Sequence, residues 1–288
     1  NNTGNNHEPS PKQIEDTPSI QLEKLLSYYQ SRSYLKAEKL ARSFSPSHPY
    51  YLDSCQILTG ILIQTGRILE ALAINQRAIE LDSTGYQNHY NLGFIYQTLG
   101  KFILAAQSYR KSISFNDNAP ETHNNLGVVL KTLGNFQEAK EHFERAIELN
   151  SNFLQAHNNF GNLFKEFGRF KDAVKYYKNA LELAPNYVEA HNNLGDALKE
   201  LGKHEDASNQ FKTALILRPN LYQGYYNLGN LDNELGASDD AESKYQKAVL
   251  INYEWVQGYF SIGNIRKEKE RLNEAMYFHR KALLINPG

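Results

Sequence analysis

One spacing constrains this chain more than any other feature. Cut at residues 18, 52, 86, 120, 154, 188, 222 and 256, the sequence aligns with itself eight times at 34 residues without an insertion. Counting from each cut, position 20 is always alanine: Ala37, Ala71, Ala105, Ala139, Ala173, Ala207, Ala241 and Ala275. Position 8 is glycine in the last six repeats, Gly93 to Gly263, and position 15 is glycine in six, Gly66 to Gly236. Positions 4, 7, 8 and 11 share one face of a helix, and positions 17, 20, 24 and 27 share one face of a second. The glycine at 15 falls where the first helix would end in a left-handed turn. A turn-former at 32, such as Pro49, Pro185 or Pro219, ends the second. Missing side-chain bulk at 8 and 20 lets the two helices approach closely. Each repeat is therefore predicted to be an antiparallel helix pair, which buries its apolar faces only by stacking on its neighbours. The boundaries that follow are a flexible polar lead-in over residues 1–17 and one array over 18–288.

The pattern Leu-Gly-x2-Tyr, Ala-x3-Phe and Pro on a 34-residue period resembles the tetratricopeptide repeat. The resemblance covers residues 18–288 and departs from the pattern locally. Lys24 and Leu25 stand where Leu-Gly is expected, Glu270 replaces the turn glycine, and position 4 is often histidine. It implies an all-α fold, a right-handed α-solenoid of about eight 34-residue helix-turn-helix repeats. It also implies a scaffold for protein-protein interaction.

With 4, 7, 8 and 11 packed inward, positions 2, 5, 6, 9, 12 and 13 lie on the other side of the first helix. That side lines the concave groove in tetratricopeptide arrays. Position 6 is asparagine in five successive repeats: Asn91, Asn125, Asn159, Asn193 and Asn227. Position 9 adds Asn162, Asp196, Asn230 and Asn264, and position 5 adds Asn124, Asn158 and Asn192. An amide carries both donors and an acceptor, so it matches the N–H and C=O of a peptide bond whatever side chain that residue bears. Helices about 8–10 Å apart and an extended peptide rising about 3.3 Å per residue would place one asparagine at about every third ligand residue. Such a ladder is suited to holding an extended polypeptide with low sequence selectivity. The alternative is that these amides cap or bridge neighbouring helices.

The uninterrupted position-6 ladder is similar to the superhelix of O-linked N-acetylglucosamine transferases, which hold substrate polypeptides by such side chains. That likeness implies backbone-gripping roles for Asn91, Asn125, Asn159, Asn193 and Asn227. It keeps open a second reading, the substrate-recruiting region of a larger glycosyltransferase-like enzyme whose catalytic part is not in this chain, beside a third, a self-assembling structural unit. Carboxylate-clamp chaperone adaptors, by contrast, need Lys at positions 2 and 5 and Arg at 6. Position 2 here reads Ser, Asp, Gln, Glu, Gln, Glu, Gln, Gln, and position 5 has no lysine.

Other function classes find little support in the residues. Lys plus Arg number 31 against 32 Asp plus Glu, and a formal charge of −1 is unlike that of a nucleic-acid binder. No apolar run approaches a membrane span, and no signal peptide is recognisable. With a single cysteine, Cys55, this predicts a cytoplasmic or nucleocytoplasmic protein. Catalytic signatures such as Gly-x-Ser-x-Gly and His-Glu-x-x-His are missing, so the chain itself reads as a non-enzyme that needs no cofactor or metal. His89, His123, His157 and His191 share position 4, but they lie on successive repeats, too far apart for one zinc ion. They are expected to fill an aromatic slot. The only methionine is Met276 and the chain stops at Asn286-Pro287-Gly288, which reads as a piece of a longer protein. The last helix carries Met276, Tyr277, Phe278, Leu283, Leu284 and Ile285, too broad an apolar set for one face. An exposed patch there, with end-to-end self-association, is the corresponding expectation.

Overall fold

The computed structural model describes residues 16–286, and the lead-in expected over residues 1–17 therefore lies outside it up to residue 15. Among the described residues the chain is helical throughout, with no strand. It divides into two compact units between Leu133 and Gly134. Unit 1 holds α1 (Pro18–Gln30), α2 (Tyr34–Ser43), α3 (Tyr51–Gln64), α4 (Ile68–Leu81), α5 (Tyr86–Thr98), α6 (Phe102–Phe115) and α7 (Pro120–Thr132). Unit 2 holds α8 (Phe136–Leu149), α9 (Leu154–Glu166), α10 (Phe170–Leu183), α11 (Val188–Glu200) and α12 (His204–Leu217). It continues with α13 (Tyr222–Glu234), α14 (Ser238–Ile251), α15 (Val256–Glu268) and α16 (Leu272–Ile285). Within each unit every helix packs against the next one, and the first helices of consecutive repeats touch, as α3 touches α5 and α9 touches α11. This is an α-solenoid of helix-turn-helix repeats.

The reason these short helices hold lies in the repeating small residues. Seven of the position-20 alanines are fully buried, and Ala275 is nearly so. The glycine at position 8 faces the aromatic ring at position 24 of the partner helix. A Cβ on Gly195 would lie 2.7 Å from Phe211 Cε1, so only hydrogen fits under that ring. Turns inside repeats are equally regular. Gly202 has φ +72°, its N–H donates to the Lys199 carbonyl, and the Lys203 N–H donates to the Leu198 carbonyl at 3.0 Å. That pairing satisfies carbonyls the helix end leaves open. The same left-handed conformation recurs at Arg32 and Glu270, where the sequence has no glycine.

Position 4 histidines knit each first helix to the turn before it. Nε2 of His89 lies 2.9 Å from the Ser83 carbonyl oxygen, His157 stands 2.9 Å from that of Ser151, and His191 stands 2.8 Å from that of Pro185. The imidazole N–H donates, which a phenyl ring could not do. His89 also stacks on Phe115, with ring centroids 5.4 Å apart. Among the described residues no group of three His, Cys, Asp or Glu could hold a metal ion.

Candidate functional site

The first helices carry their amides at positions 5, 6 and 9 because the inward face is taken by positions 4, 7, 8 and 11. In unit 2 the result is a groove. A cavity of about 580 Å³ is lined by Asn158 and Asn162 on α9, by Asn192 and Asn193 on α11, and by Gln223 at the start of α13. An ion pair between Arg218 and Glu189, 2.8 Å long, closes one side. In unit 1 a smaller cavity of about 240 Å³ has Tyr86, Gln87, Tyr90 and Glu121 in its walls. Both cavities use positions 1, 2, 5, 33 and 34 of the repeat, so the groove wall repeats in register.

The amides at positions 5 and 6 form buckles between neighbouring repeats. Asn193 Nδ2 donates to Asn158 Oδ1 at 3.1 Å, and Asn227 Nδ2 donates to Asn192 Oδ1 at 3.1 Å. In unit 1 the same link runs from Asn125 Nδ2 to the Tyr90 hydroxyl, 3.2 Å away. Asn124 Nδ2 also donates to Asn125 Oδ1 at 3.1 Å. Asn124 and Asn158 are only 5% exposed, and Asn91, which accepts from Gln87 Nε2, is 9% exposed. Asn125, Asn159, Asn192, Asn193 and Asn227 are half-buried. An amide has two N–H donors and two acceptor lone pairs, so the bond from Asn193 or Asn227 to its neighbour uses only part of that side chain's hydrogen-bonding capacity. In the Asn158–Asn193 pair the position-5 amide is the buried member and the position-6 amide the more exposed one.

Position 9 ties the first helix of a repeat to its second. Asn162 Oδ1 accepts from the Tyr177 hydroxyl at 2.7 Å, and Asn230 Oδ1 accepts from Tyr245 at 2.8 Å. Burial pushes both phenols up, that of Tyr245 to about 12, so they stay donors throughout the physiological range. Asn264 Oδ1 stands 3.2 Å from His279 Nε2. Asp196 accepts a charged bond from Lys165 Nζ at 2.8 Å. Lys199 is held between Glu200 and Glu234 at 2.8 and 2.9 Å. Burial opposes its charge, but the two carboxylates prevail and keep its pKa above the ordinary lysine value. Lys165 thus ties α9 to α11, and Lys199 ties α11 to α13.

Sequence reasoning passed over Arg218, Asn220 and Tyr222, which share the larger cavity's wall. They sit at the junction between repeats, where position 31 and position 1 meet position 2 of a neighbouring first helix. The run of Gln and Glu at position 2 was the available signal.

Family models describing a tetratricopeptide repeat match residues 86–118 and 120–153, and one describing a TPR repeat matches 161–202 and 195–236. No curated protein matches the chain. Among solved structures, a tetratricopeptide repeat protein from Parabacteroides merdae is 18% identical over 90% of this chain and 98% of its own, with a TM-score of 0.67. PilF of Pseudomonas aeruginosa is 19% identical over 75% of this chain and 97% of that one, at 0.65. The APC/C hetero-tetramer Cut9–Hcn1 is 16% identical over 96% of this chain, at 0.73, and the match takes in 55% of that chain. At these identities the likeness is one of fold.

Proposed function

Since the chain belongs to the tetratricopeptide repeat superfamily, whose repeats act as protein-interaction scaffolds, we propose that it binds an extended polypeptide segment along the asparagine-lined faces of its first helices. The observation that carries this reading is the cavity of about 580 Å³ walled by Asn158, Asn162, Asn192 and Asn193. A cleft whose polar groups are mostly uncharged amides favours backbone over side-chain recognition. It holds its ligand through position 6, with Asn193 and Asn227 in unit 2 and Asn91 and Asn125 in unit 1. Asn159 extends the row on α9, with Asn162 in the wall beside it and Asp196, Asn230 and Asn264 at the same position as Asn162 in the later repeats.

The test is the double variant Asn193→Ala with Asn227→Ala, measured against several peptides of unrelated sequence. Each hydrogen bond is worth about 0.5–1.5 kcal/mol net, so the pair should weaken each peptide of the set, chosen without acidic residues flanking an aromatic one, by about tenfold. If the amides only bridge repeats, thermal stability falls while peptide affinity stays unchanged, and the groove reading is lost.

A further inference from the structure

The second helices of unit 2 leave one cleft open where its neighbours are closed. Between α8 and α10 the ring of Tyr176, at position 23, fills the space over α9. Its centroid is 4.5 Å from that of Phe160 and 5.3 Å from that of Phe164. The cavity remaining there is about 320 Å³. Between α12 and α14 position 23 is Lys244, which closes the gap by an ion pair to Asp232 at position 11 of α13. Between these two, α10 and α12 flank α11 with Gln210 at position 23 and Leu198 at position 11. Neither a ring nor an ion pair spans the space, and a cavity of about 500 Å³ opens.

The floor of this cavity is apolar, made by Val174, Leu194, Leu198 and Leu201. Its rim carries Lys171, Lys178 and Lys203, with Asp206 the one acidic neighbour. No ion pair engages any of the three lysines among the described residues, whereas Lys165, Arg169, Lys199 and Arg218 nearby are all paired. Helical geometry puts Leu194, Leu198 and Leu201 on the side of α11 away from Asn192 and Glu189, so this cleft is distinct from the groove.

We infer that the α10–α12 cleft is a second peptide-binding site, which takes an aromatic side chain from an acidic segment of a partner protein. The chain itself shows what fits: one repeat earlier, Tyr176 packs its ring on the residues equivalent to Leu194 and Leu198. In the open cleft the ring must come from outside, and three lysines without carboxylate partners select acidic flanks. Gln210 instead meets Nδ1 of His191 at 2.7 Å, as Tyr176 stacks on His157.

The test uses the 288-residue chain and a fluorescein-labelled peptide, acetyl-Glu-Glu-Phe-Glu-Glu-amide, followed by fluorescence anisotropy. Gln210→Tyr restores the internal ring and should weaken binding by at least about tenfold, the worth of one excluded aromatic side chain. Lys171→Glu with Lys178→Glu should weaken it comparably and remove most of its salt dependence. A peptide with alanine in place of phenylalanine should lose most of its affinity. The groove variant Asn193→Ala with Asn227→Ala should leave this peptide's affinity as it was. Undiminished binding by both cleft variants, or equal binding of the alanine peptide, overturns the assignment. So does a loss in the groove variant, which would place the peptide in the groove. Uptake of laurate, blocked by Gln210→Tyr, with no binding of the peptide would make the cleft a site for an amphiphilic anion and equally overturn the proposal.

Discussion

Two opposing residue-scale effects meet at Gly195. In an exposed helix, alanine is more stable than glycine by about 0.8–1.0 kcal/mol. Here the added Cβ would come within 2.7–2.8 Å of two atoms of the fully buried Phe211 ring. Overpacking of that kind costs about 1–3 kcal/mol, and the ring has no solvent to move into. The clash therefore outweighs propensity, and Gly195→Ala should lower unfolding stability by about 1 kcal/mol or more in a denaturant titration. A neutral or stabilising result would mean that α11 and α12 separate easily. The neighbouring amides follow the same logic of crowding. Asn158 is buried, yet it is stable there because Asn193 supplies a donor to its oxygen.

For the helix pair as an element, the turn decides how well it closes. Six repeats place glycine at φ between +67° and +80°, while the last places Glu270 at φ +58°. A residue with a Cβ in that region costs about 1–2 kcal/mol relative to its ordinary conformations. Glu270 makes no ion pair among the described residues, and its N–H donates to the Lys267 carbonyl at 3.0 Å as the glycines' do. Glu270→Gly should thus raise stability, by about 0.5–1 kcal/mol once the looser unfolded chain is counted, seen as a higher melting temperature. A lower melting temperature would show that the carboxylate has a role in the turn. Element order, helix faces and turn positions were all legible in the sequence, because a 34-residue period repeats the same local rules many times. That the amides could bridge neighbouring helices was legible too, but not which of them pair. Pairing Asn193 with Asn158 depends on how far one first helix is staggered against the next, which no single repeat encodes. The open cleft was equally hidden, since Gln210 is unremarkable until its counterpart Tyr176 is seen filling the same space.

At the scale of the whole molecule, what matters is how much apolar surface the chain leaves uncovered. No helix among the described residues is long and apolar enough to cross a membrane. Position 29 is polar or proline in the first five repeats but is Ile216, Leu250 and Leu284 in the last three. These side chains are 79%, 82% and 78% exposed on α12, α14 and α16 of unit 2. On α16 they continue into Leu283, and Met276 and Tyr277 are exposed as well. A single exposed leucine needs no explanation, but three at the same position of consecutive second helices form a row of the kind that marks an interaction surface. The proposal that fits is self-association of this chain through unit 2, driven by apolar burial. Net charge of −1 gives little long-range repulsion to oppose it. Light scattering across a concentration series should show the mean mass rising with concentration, and more steeply at high salt. Leu250→Glu with Leu284→Glu places like charges on the row without touching the core alanines, and should return the chain to a monomer with its melting temperature unchanged. A chain that stays monomeric at every concentration, or a double variant that associates as before, would show that the row has no part in joining copies.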